Sequence, residues 1–299
     1  MKKVVLSVMA AVAVCAAAPA FAADMPVKGK AVAPAAPVPF DIAIGGVVMS
    51  DYNFRGISQS NRGFSGGAYF EPQLITSVGT FYTGIAAYGI DWPGSASYGF
   101  TSPSAEVDLY GGWRNSWGPL SLDLGLIYYY YPKETFNGFT SDSDFYEIYA
   151  KVGYDLGNGF SIGGNVFYTP DLLNYSETFT ATGGQKAQAT YASATAKWVT
   201  PWSVNGIGSF ISGEVGHWWI KDTGFIAAGV VDPSYTYYNV GLAFTYKALT
   251  LDLRYHGNDM GTTKCNAFLV VGPGNASSNW CNDTFIASLK FDTTLLALK

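Results

Sequence analysis

Beyond Phe40 the sequence is a succession of segments, each about ten residues long, in which apolar and polar side chains alternate. In Leu120–Tyr131, for example, leucine and tyrosine alternate with Ser121, Asp123 and Gly125. Successive side chains of a strand point to opposite faces, so each segment has one apolar face and one polar face. The pattern predicts an all-β protein, because no stretch of useful length follows the helical period.

The connections between the predicted strands alternate between short and long. The strands are predicted at 41–55, 66–75, 80–91, 105–114, 120–131, 144–154, 160–169, 189–199, 210–220, 234–246, 249–257 and 283–291. Short connections are expected at 76–79, 115–119, 156–159 and 247–248, an intermediate one at 200–209, and long ones at 56–65, 92–104, 132–143, 170–188, 221–233 and 258–282. This order is typical of outer-membrane barrels, which have tight periplasmic turns and long outer loops. We therefore predict a closed antiparallel transmembrane β-barrel of about 12 strands with both ends in the periplasm.

A secreted, aromatic-rich β-sandwich is the alternative that composition leaves open. Charged residues make up 13% of the chain and aromatic residues 16%, against about 25% charged residues in ordinary soluble proteins. The polar faces favour the barrel, because they mix a few charges with Gly, Ser, Asn and Tyr, as a confined, watered lumen would. Pro72 removes one ladder bond from the second predicted strand, and we expect a bulge there.

Aromatic side chains cluster at both ends of the predicted strands. One group lies at the short-turn ends and the other at the long-loop ends: Trp113, Trp117, Trp198 and Trp202, and then Tyr128–Tyr131, Trp218, Trp219, Tyr235, Tyr237 and Tyr238. Two such belts are expected at the two membrane interfaces. A general preference of Tyr and Trp for strands would explain their abundance but not their grouping at two ends.

The first residues have the organisation of an exported protein. Residues 1–22 read as a signal peptide, with Lys2 and Lys3 before an apolar stretch and a small-residue cleavage site at 20–22. Residues 23–39 form an Ala- and Pro-rich periplasmic linker, and 40–299 the barrel. With Cys15 inside the signal, Cys265 and Cys281 remain, and in an oxidising compartment they predict one disulfide.

Charge and motifs exclude several classes of partner. The formal net charge of −5 and the lack of a basic stripe argue against nucleic-acid binding. We find no spacing of ligands for a metal and no cofactor motif, so no cofactor is predicted. The expected partners are outer-membrane lipid and small hydrophilic solutes, and the sequence leaves open whether identical barrels associate.

The polar faces supply the candidate site residues. The predicted pore-lining set is Asp51, Asn53, Arg55, Glu71, Glu106, Asp108, Asp123, Glu147, Lys151, Glu214, Asp252 and Arg254. An excess of acidic groups in a lumen favours the passage of cations. The alternative is that these charges form salt bridges that fill the lumen, with Arg55 pairing to a lumen acid and fastening a loop to the wall.

Catalysis would need a nucleophile beside a base. His256 shares a strand face with Asp252 and Arg254, so a Ser–His–Asp arrangement is the one enzyme hypothesis to test. No nucleophile-elbow motif accompanies it, and we predict that the protein is not an enzyme. His217 has the parity of the outward set and is expected in an aromatic belt.

The segment Ser50–Gln59, SDYNFRGISQ, resembles the N-terminal motif of the TorF family of porin-like proteins, first catalogued as conserved proteins of unknown function. The stretches Glu106–Trp113, Leu122–Pro132 and Phe145–Tyr149 resemble further motifs of that family. The resemblance implies an outer-membrane barrel with a channel role and supplies no catalytic residues. The chain ends Leu298-Lys299 rather than in the terminal aromatic common in bacterial barrels, and Phe291 is expected to take that part.

The expected function is therefore passive diffusion of small hydrophilic solutes, with a preference for cations. The alternative function is that of a non-conducting outer-membrane barrel that serves as a surface scaffold or as a receptor for a ligand held by the long loops.

Overall fold

A computed structural model describes residues 39–92, 100–101, 103–132, 135–136, 143–178, 185–221, 232–262, 264–265 and 279–298. The predicted signal peptide and almost all of the predicted linker lie outside the described residues. Within the described ranges, no helix has the length and apolar character needed to span a bilayer.

Twelve antiparallel strands close into a barrel, each paired with its neighbours in sequence, and β1 pairs with β12. The strands are β1 Phe40–Met49, β2 Ser65–Thr76, β3 Gly79–Gly89, β4 Ala105–Trp117, β5 Leu120–Tyr130, β6 Phe145–Gly157, β7 Phe160–Thr169, β8 Ala189–Val204, β9 Ile207–Ile220, β10 Tyr235–Tyr246, β11 Leu249–Asn258 and β12 Thr284–Thr294. The predicted fold class and strand number are confirmed.

Short elements decorate the connections at the long-loop end. A small hairpin pairs Asn53–Phe54 with Ile57–Ser58, and a ribbon pairs Phe100–Thr101 with Thr135–Phe136. A 3-10 turn at Leu172–Asn174 leads into the helical turn α1 at Tyr175–Thr178.

Five two-residue turns join the strands at the other end, and the predicted intermediate connection at 200–209 is wrong. Strand β8 runs past Pro201 because its register with β9 shifts between Val199 and Ser203, and such an irregularity accommodates a proline inside a sheet. The turn that follows is Asn205-Gly206, with φ of 51° and 81°. Both values are positive, as a type I′ hairpin turn requires.

The first strand is shorter than predicted. The prediction was 41–55, but β1 ends at Met49, which pairs with Ser65 on one side and Ser288 on the other. The β1–β2 and β1–β12 ladders therefore both end at Met49. The connection from residue 50 to residue 64, called the first loop below, then carries side chains into the barrel.

Pro72 does not mark a bulge, contrary to the prediction. Strand β2 pairs with β3 at Phe70–Ile85 and again at Gln73–Tyr82 in the same register. On its other side Pro72 pairs with Ile42 in an unbroken ladder. The imino acid therefore leaves a short gap in one ladder without displacing the strand.

The two faces of the barrel differ in the way that a membrane requires. Outward side chains at mid-height are apolar and exposed, such as Leu124 at 42% and Val240 at 52%. On the lumen side, Glu71 and Glu147 are both 0% exposed. A closed barrel pairs the backbone groups of its strands and so can sit in hydrocarbon. An apolar exterior around a polar interior is the arrangement of an outer-membrane barrel.

The aromatic belts are only partly as predicted. Exposed rings lie at the short-turn end and at the long-loop end: Trp117 and Trp202, and then Tyr130, Trp219 and Tyr238. Other rings predicted for the long-loop belt lie inside the barrel, because they have the opposite strand parity: Tyr129, Tyr131, Trp218, Tyr235 and Tyr237. His217 lies on the outward face, with its ring 4.6 Å from that of Trp219.

Candidate functional site

The predicted lining residues all have side chains on the lumen side. Asp123 and Lys151 are half-buried and the others are buried: Asp51, Asn53, Arg55, Glu71, Glu106, Asp108, Glu147, Glu214, Asp252 and Arg254. Their role in lining a pore remains a prediction. The structure groups most of them into compact clusters rather than spreading them along an open wall.

Asp51, Asn53 and Arg55 reach the lumen from the first loop rather than from the first strand. Tyr52 and Phe54 would face outward if the predicted strand 41–55 continued past Asp51. Both lie inside instead: Tyr52 is buried and Phe54 packs on Trp218 with ring centroids 5.8 Å apart. The error has a physical cause, because a segment folded into the lumen has no outward face.

A two-residue turn places Arg55 at the tip of the Asn53–Ser58 hairpin. Arg55 and Gly56 have φ of 48° and 90°. A Cβ at Gly56 would lie 2.9 Å from the side-chain nitrogen of Asn258, so glycine is required by both conformation and space. A positive φ at a residue such as Arg55 costs about 1 kcal/mol and persists only where its surroundings impose it.

Arg55 forms a bidentate ion pair with Glu147 at the start of β6. The two Nη–Oε distances are 2.8 and 2.9 Å, and the side chains are 3% and 0% exposed. Tyr129 donates a further hydrogen bond of 3.0 Å to the same carboxylate. Burial lowers the pKa of the Arg55 guanidinium, but the Glu147 carboxylate outweighs burial and leaves this pKa above its ordinary value. The guanidinium is therefore charged, and it fastens the loop to the wall.

Four aromatic rings surround the same guanidinium, and we call them the aromatic cage. The Arg55 Cζ lies 4.7, 4.9, 4.3 and 4.6 Å from the ring centroids of Phe54, Phe167, Tyr191 and Trp218. A desolvated cation–π contact at these distances contributes about 2 kcal/mol or more. Phe167 pairs directly with Tyr191 across β7 and β8, and Tyr191 with Trp218 across β8 and β9.

A second set of contacts holds the base of the first loop. Tyr52 and Tyr131 each donate a hydrogen bond to Glu106, at 2.5 and 2.8 Å. Asp51 accepts hydrogen bonds of 2.6 and 3.0 Å from Ser58 and Ser60. Burial raises the pKa of the Asp51 carboxyl, and these hydrogen bonds oppose the rise.

The described residues around Trp280, in the connection between β11 and β12 that we call the last loop, hold the first loop in place. The predicted disulfide Cys265–Cys281 is present, with Cα atoms 5.9 Å apart. Beside it, the Trp280 carbonyl accepts the Ser58 N–H at 3.0 Å, and Trp280 Nε1 donates to Asn61 at 3.0 Å. The disulfide thus fixes the segment against which the loop is docked.

Replacing both cysteines by serine should loosen the first loop while the barrel persists. The bridge spans a sequence separation of 16, for which chain entropy predicts about 3 kcal/mol. Because only part of this constraint reaches the first loop, we expect the Ser58 amide to exchange hydrogen roughly ten-fold faster, about 1.4 kcal/mol. Amides of β6 at mid-height, such as Val152, are the internal control. Unchanged exchange at Ser58 would show that the last loop does not clamp the first.

Elsewhere the lumen cations are held by neighbouring acids and rings. Arg114 pairs with Glu71 at 2.7 Å and lies 4.5 Å from the Tyr82 ring. Arg254 pairs with Asp252 at 3.0 Å and donates to Ser212 at 2.7 Å. Glu214 accepts hydrogen bonds from Tyr191 and Asn239 at 2.9 and 3.2 Å. The alternative in which lumen charges form salt bridges describes the Arg114–Glu71 and Arg254–Asp252 pairs.

The groups named for catalysis do not assemble into a relay. The His256 ring nitrogen contacts the Tyr237 hydroxyl at 2.8 Å. Asp252, the proposed third member, is paired with Arg254 instead.

The sequence did not identify Phe167 and Tyr191 as site residues, and it placed Trp218 in the outer aromatic belt rather than in the lumen. Phe167 lies between the outward-facing Val166 and Tyr168, so polarity gave no sign of its direction. One signal was available: Trp218 has the same strand parity as Glu214, which was placed in the lumen.

The closed twelve-stranded barrel, its apolar exterior and its charged interior define an outer-membrane β-barrel. Within that class, the chain belongs to the family described as "Bacterial protein of unknown function (Gcw_chp)", whose model matches residues 31–284. The match supports the resemblance to a family catalogued without a function, and does not itself carry the TorF name. No curated protein matches the sequence significantly.

Solved barrels resemble the chain at low identity. An outer membrane channel from Pseudomonas putida F1 is 12% identical, with 89% of this chain and 100% of that one covered and a TM-score of 0.44. The outer membrane channel DcaP of Acinetobacter baumannii is 7% identical, with 86% and 96% covered and a TM-score of 0.36. LpxR from Salmonella typhimurium is 9% identical, with 84% and 99% covered and a TM-score of 0.41.

Proposed function

We propose that the protein is a narrow outer-membrane channel for small hydrophilic solutes, closed in this conformation by its first loop. The observation that carries the proposal is the attachment of the first loop to the barrel wall through Arg55. A separate segment, rather than the strands, fills the lumen at the level of Arg55, and it is held there by an ion pair and an aromatic cage. A plug that is not part of the wall can leave without unfolding the barrel.

The lumen left by such a movement would be polar. The strands that surround the loop contribute Glu106, Glu147 and Glu214 to the interior, all buried while the loop is docked. A barrel of about 12 strands is intermediate between those just filled by side chains and the wide porins. The proposal agrees with the channel role that the resemblance to the TorF family implies, and it includes no catalytic step.

A non-conducting barrel is the second candidate, and it also rests on a specific observation. The Arg114–Glu71 pair joins β4 to β2 without involving the loop, and Arg254 of β11 pairs with Asp252 of the same strand and donates to Ser212 of β9. Such pairs would remain in the lumen after the loop had moved. If they alone block the passage, the protein is a surface scaffold or a receptor.

Planar-bilayer recording separates these functions. The wild type should show rare, brief openings, since its loop is latched. A variant in which Asn53–Ser58 is replaced by two glycines should conduct steadily, because the Arg55 clamp and the hairpin are gone. Silence of both proteins, with the barrel verified as folded, would leave the non-conducting candidate.

We further propose that the open channel prefers cations. Among the described residues, neither Glu106 nor Asp108 of β4 forms an ion pair, although both are buried in the lumen. When the first loop leaves, Tyr52 releases Glu106. Fixed carboxylates along a narrow passage attract cations and repel anions.

Glu106→Gln combined with Asp108→Asn should weaken that preference. In the hairpin-replaced channel we expect the cation-to-anion permeability ratio to fall about two-fold, because two fixed charges are lost from the passage. The measurement is the reversal potential across a KCl gradient. Exchanging the exposed Glu177 for Gln is the matched control for charge outside the barrel. A reversal potential that stays constant would remove the β4 carboxylates from selectivity.

A further inference from the structure

We propose that the wall around Arg55 is a binding site for organic cations of the guanidinium class, and that Arg55 occupies it as an internal ligand. The wall site consists of Tyr129, Glu147, Phe167, Tyr191 and Trp218. The inference rests on the proposed channel function and names the class of solute that the channel would select.

The wall site is built by the strands alone. Its members lie on the five consecutive strands β5 to β9, and each strand holds its neighbour through an unbroken ladder at this level. The carboxylate is held by Tyr129 at 3.0 Å, and the Tyr191 hydroxyl by Glu214 at 2.9 Å. The site therefore keeps its shape when the loop departs, and only the cation and the Phe54 ring leave with it.

The chemistry of the wall site selects a planar, forked cation. Glu147 accepts two parallel N–H bonds at 2.8 and 2.9 Å, which is the geometry that a guanidinium offers and an ammonium does not. The faces of Tyr191 and Trp218 lie 4.3 and 4.6 Å from its central carbon. Weakly hydrated, delocalised cations bind between such faces more readily than strongly hydrated alkali ions.

The wall site also lies where an incoming solute would meet it. Glu147 and Tyr191 are each the third residue of strands that start at the long-loop end, and Phe167 and Trp218 the third from the end of strands that finish there. A solute from that side reaches the wall site before it reaches the Arg114 and Arg254 clusters. The cationic group of the solute can then compete with Arg55 for Glu147. Binding of the solute and release of the first loop would therefore occur as one exchange at Glu147.

Removing the internal ligand should expose the wall site to a free one. We would titrate the purified Arg55→Ala variant in detergent with guanidinium chloride at millimolar concentrations and follow tryptophan fluorescence. Urea, the neutral planar analogue, and sodium chloride at equal ionic strength are the control probes. We expect a saturable change with guanidinium only, and an apparent affinity about ten-fold or more above that of the wild type, where Arg55 competes.

Two further variants locate the change. Arg55→Ala with Glu147→Gln should weaken guanidinium binding by about ten-fold or more, because a neutral amide replaces the carboxylate that accepts both N–H bonds. Arg55→Ala with Trp218→Phe should lose most of the fluorescence change. Equal binding with and without the Glu147 carboxylate, or an equal response to urea, would overturn the proposal and leave the rings as packing alone.

Wild-type protein supplies a test that needs no variant to fold. Guanidinium, but not urea, should accelerate hydrogen exchange at Ser58 by displacing Arg55 from Glu147, and the absence of any difference between the two probes counts against the proposal.

The channel proposal is judged separately by bilayer current. Conduction without guanidinium binding would refute the wall site alone, and binding without conduction would refute the channel alone.

Discussion

Glu147→Gln should release the first loop from the barrel. The substitution leaves the Arg55 guanidinium buried without a counter-charge, and removal of one partner from a buried pair costs about 3–5 kcal/mol. The ratio of docked to free loop should fall by about two to four orders of magnitude. Hydrogen exchange over Asn53–Ser58 and open probability in bilayers should both rise accordingly.

Glu71→Gln is the matched control for that result. It makes the same change in an equally buried glutamate paired with an arginine, but Arg114 belongs to β4 and holds no part of the first loop. A second comparison is Arg55→Gln with Glu147→Gln, which should restore part of the docking because no charge is left unpaired. If Glu147→Gln and Glu71→Gln release the loop to the same extent, the Arg55–Glu147 pair is not what holds the loop in the lumen.

Val240→Arg should reduce the stability of the folded barrel in lipid by about 2–4 kcal/mol. Val240 lies near the middle of β10, faces outward and is 52% exposed. An arginine there must enter hydrocarbon or drag water and headgroups toward the bilayer centre. The measurement is the free energy of unfolding by urea in vesicles of defined thickness.

Tyr246→Arg provides the depth control on the same strand and face. Tyr246 is the last residue of β10, beside a two-residue turn, and arginine near an interface costs only about 0–1 kcal/mol. Equal costs at both positions would mean that the outer surface does not contact acyl chains. A mature chain that stayed monomeric and compact in water without detergent would contradict the membrane assignment more directly.

The barrel itself was predictable because its determinants are local. Alternation along Leu120–Tyr131 reports a two-faced strand whatever its neighbours are, and the Asn158-Gly159 turn is visible as a dipeptide with φ of 54° and 82°. Connection lengths then fix which ends lie together. These features follow from backbone geometry and from the contrast between lipid outside the barrel and water inside it.

The inward course of the first loop was not predictable from alternation. Asp51, Asn53 and Arg55 alternate with Tyr52 and Phe54, and this period of two extended the predicted strand too far. The strand stops because the ladders on both sides stop at Met49. That limit is set by where β2 begins and by where β12 first pairs with β1, and the sequence around residue 50 contains neither position.

The candidate site was predictable in its charges but not in its partners. Arg55 and Glu147 were both assigned to the lumen, and an arginine fastened to a lumen acid was the stated alternative. The sequence did not identify which of the lumen acids it would meet, because these carboxylates stand on separate strands. The choice depends on the reach of the first loop and on rings from three further strands.

The pairing order of the barrel has a consequence for how the chain assembles. Eleven of the twelve strand pairings join consecutive strands, while β1 and β12 lie at opposite ends of the barrel sequence. This seam has seven residue pairs, from Ala43–Thr294 to Met49–Ser288, and β1 has ten with β2. Hairpins that form early cost little chain entropy, whereas joining the two ends requires closure of the longest loop. Cylinder closure at the seam is therefore the step that should limit the rate of folding, and the seam is the first place at which the wall should part.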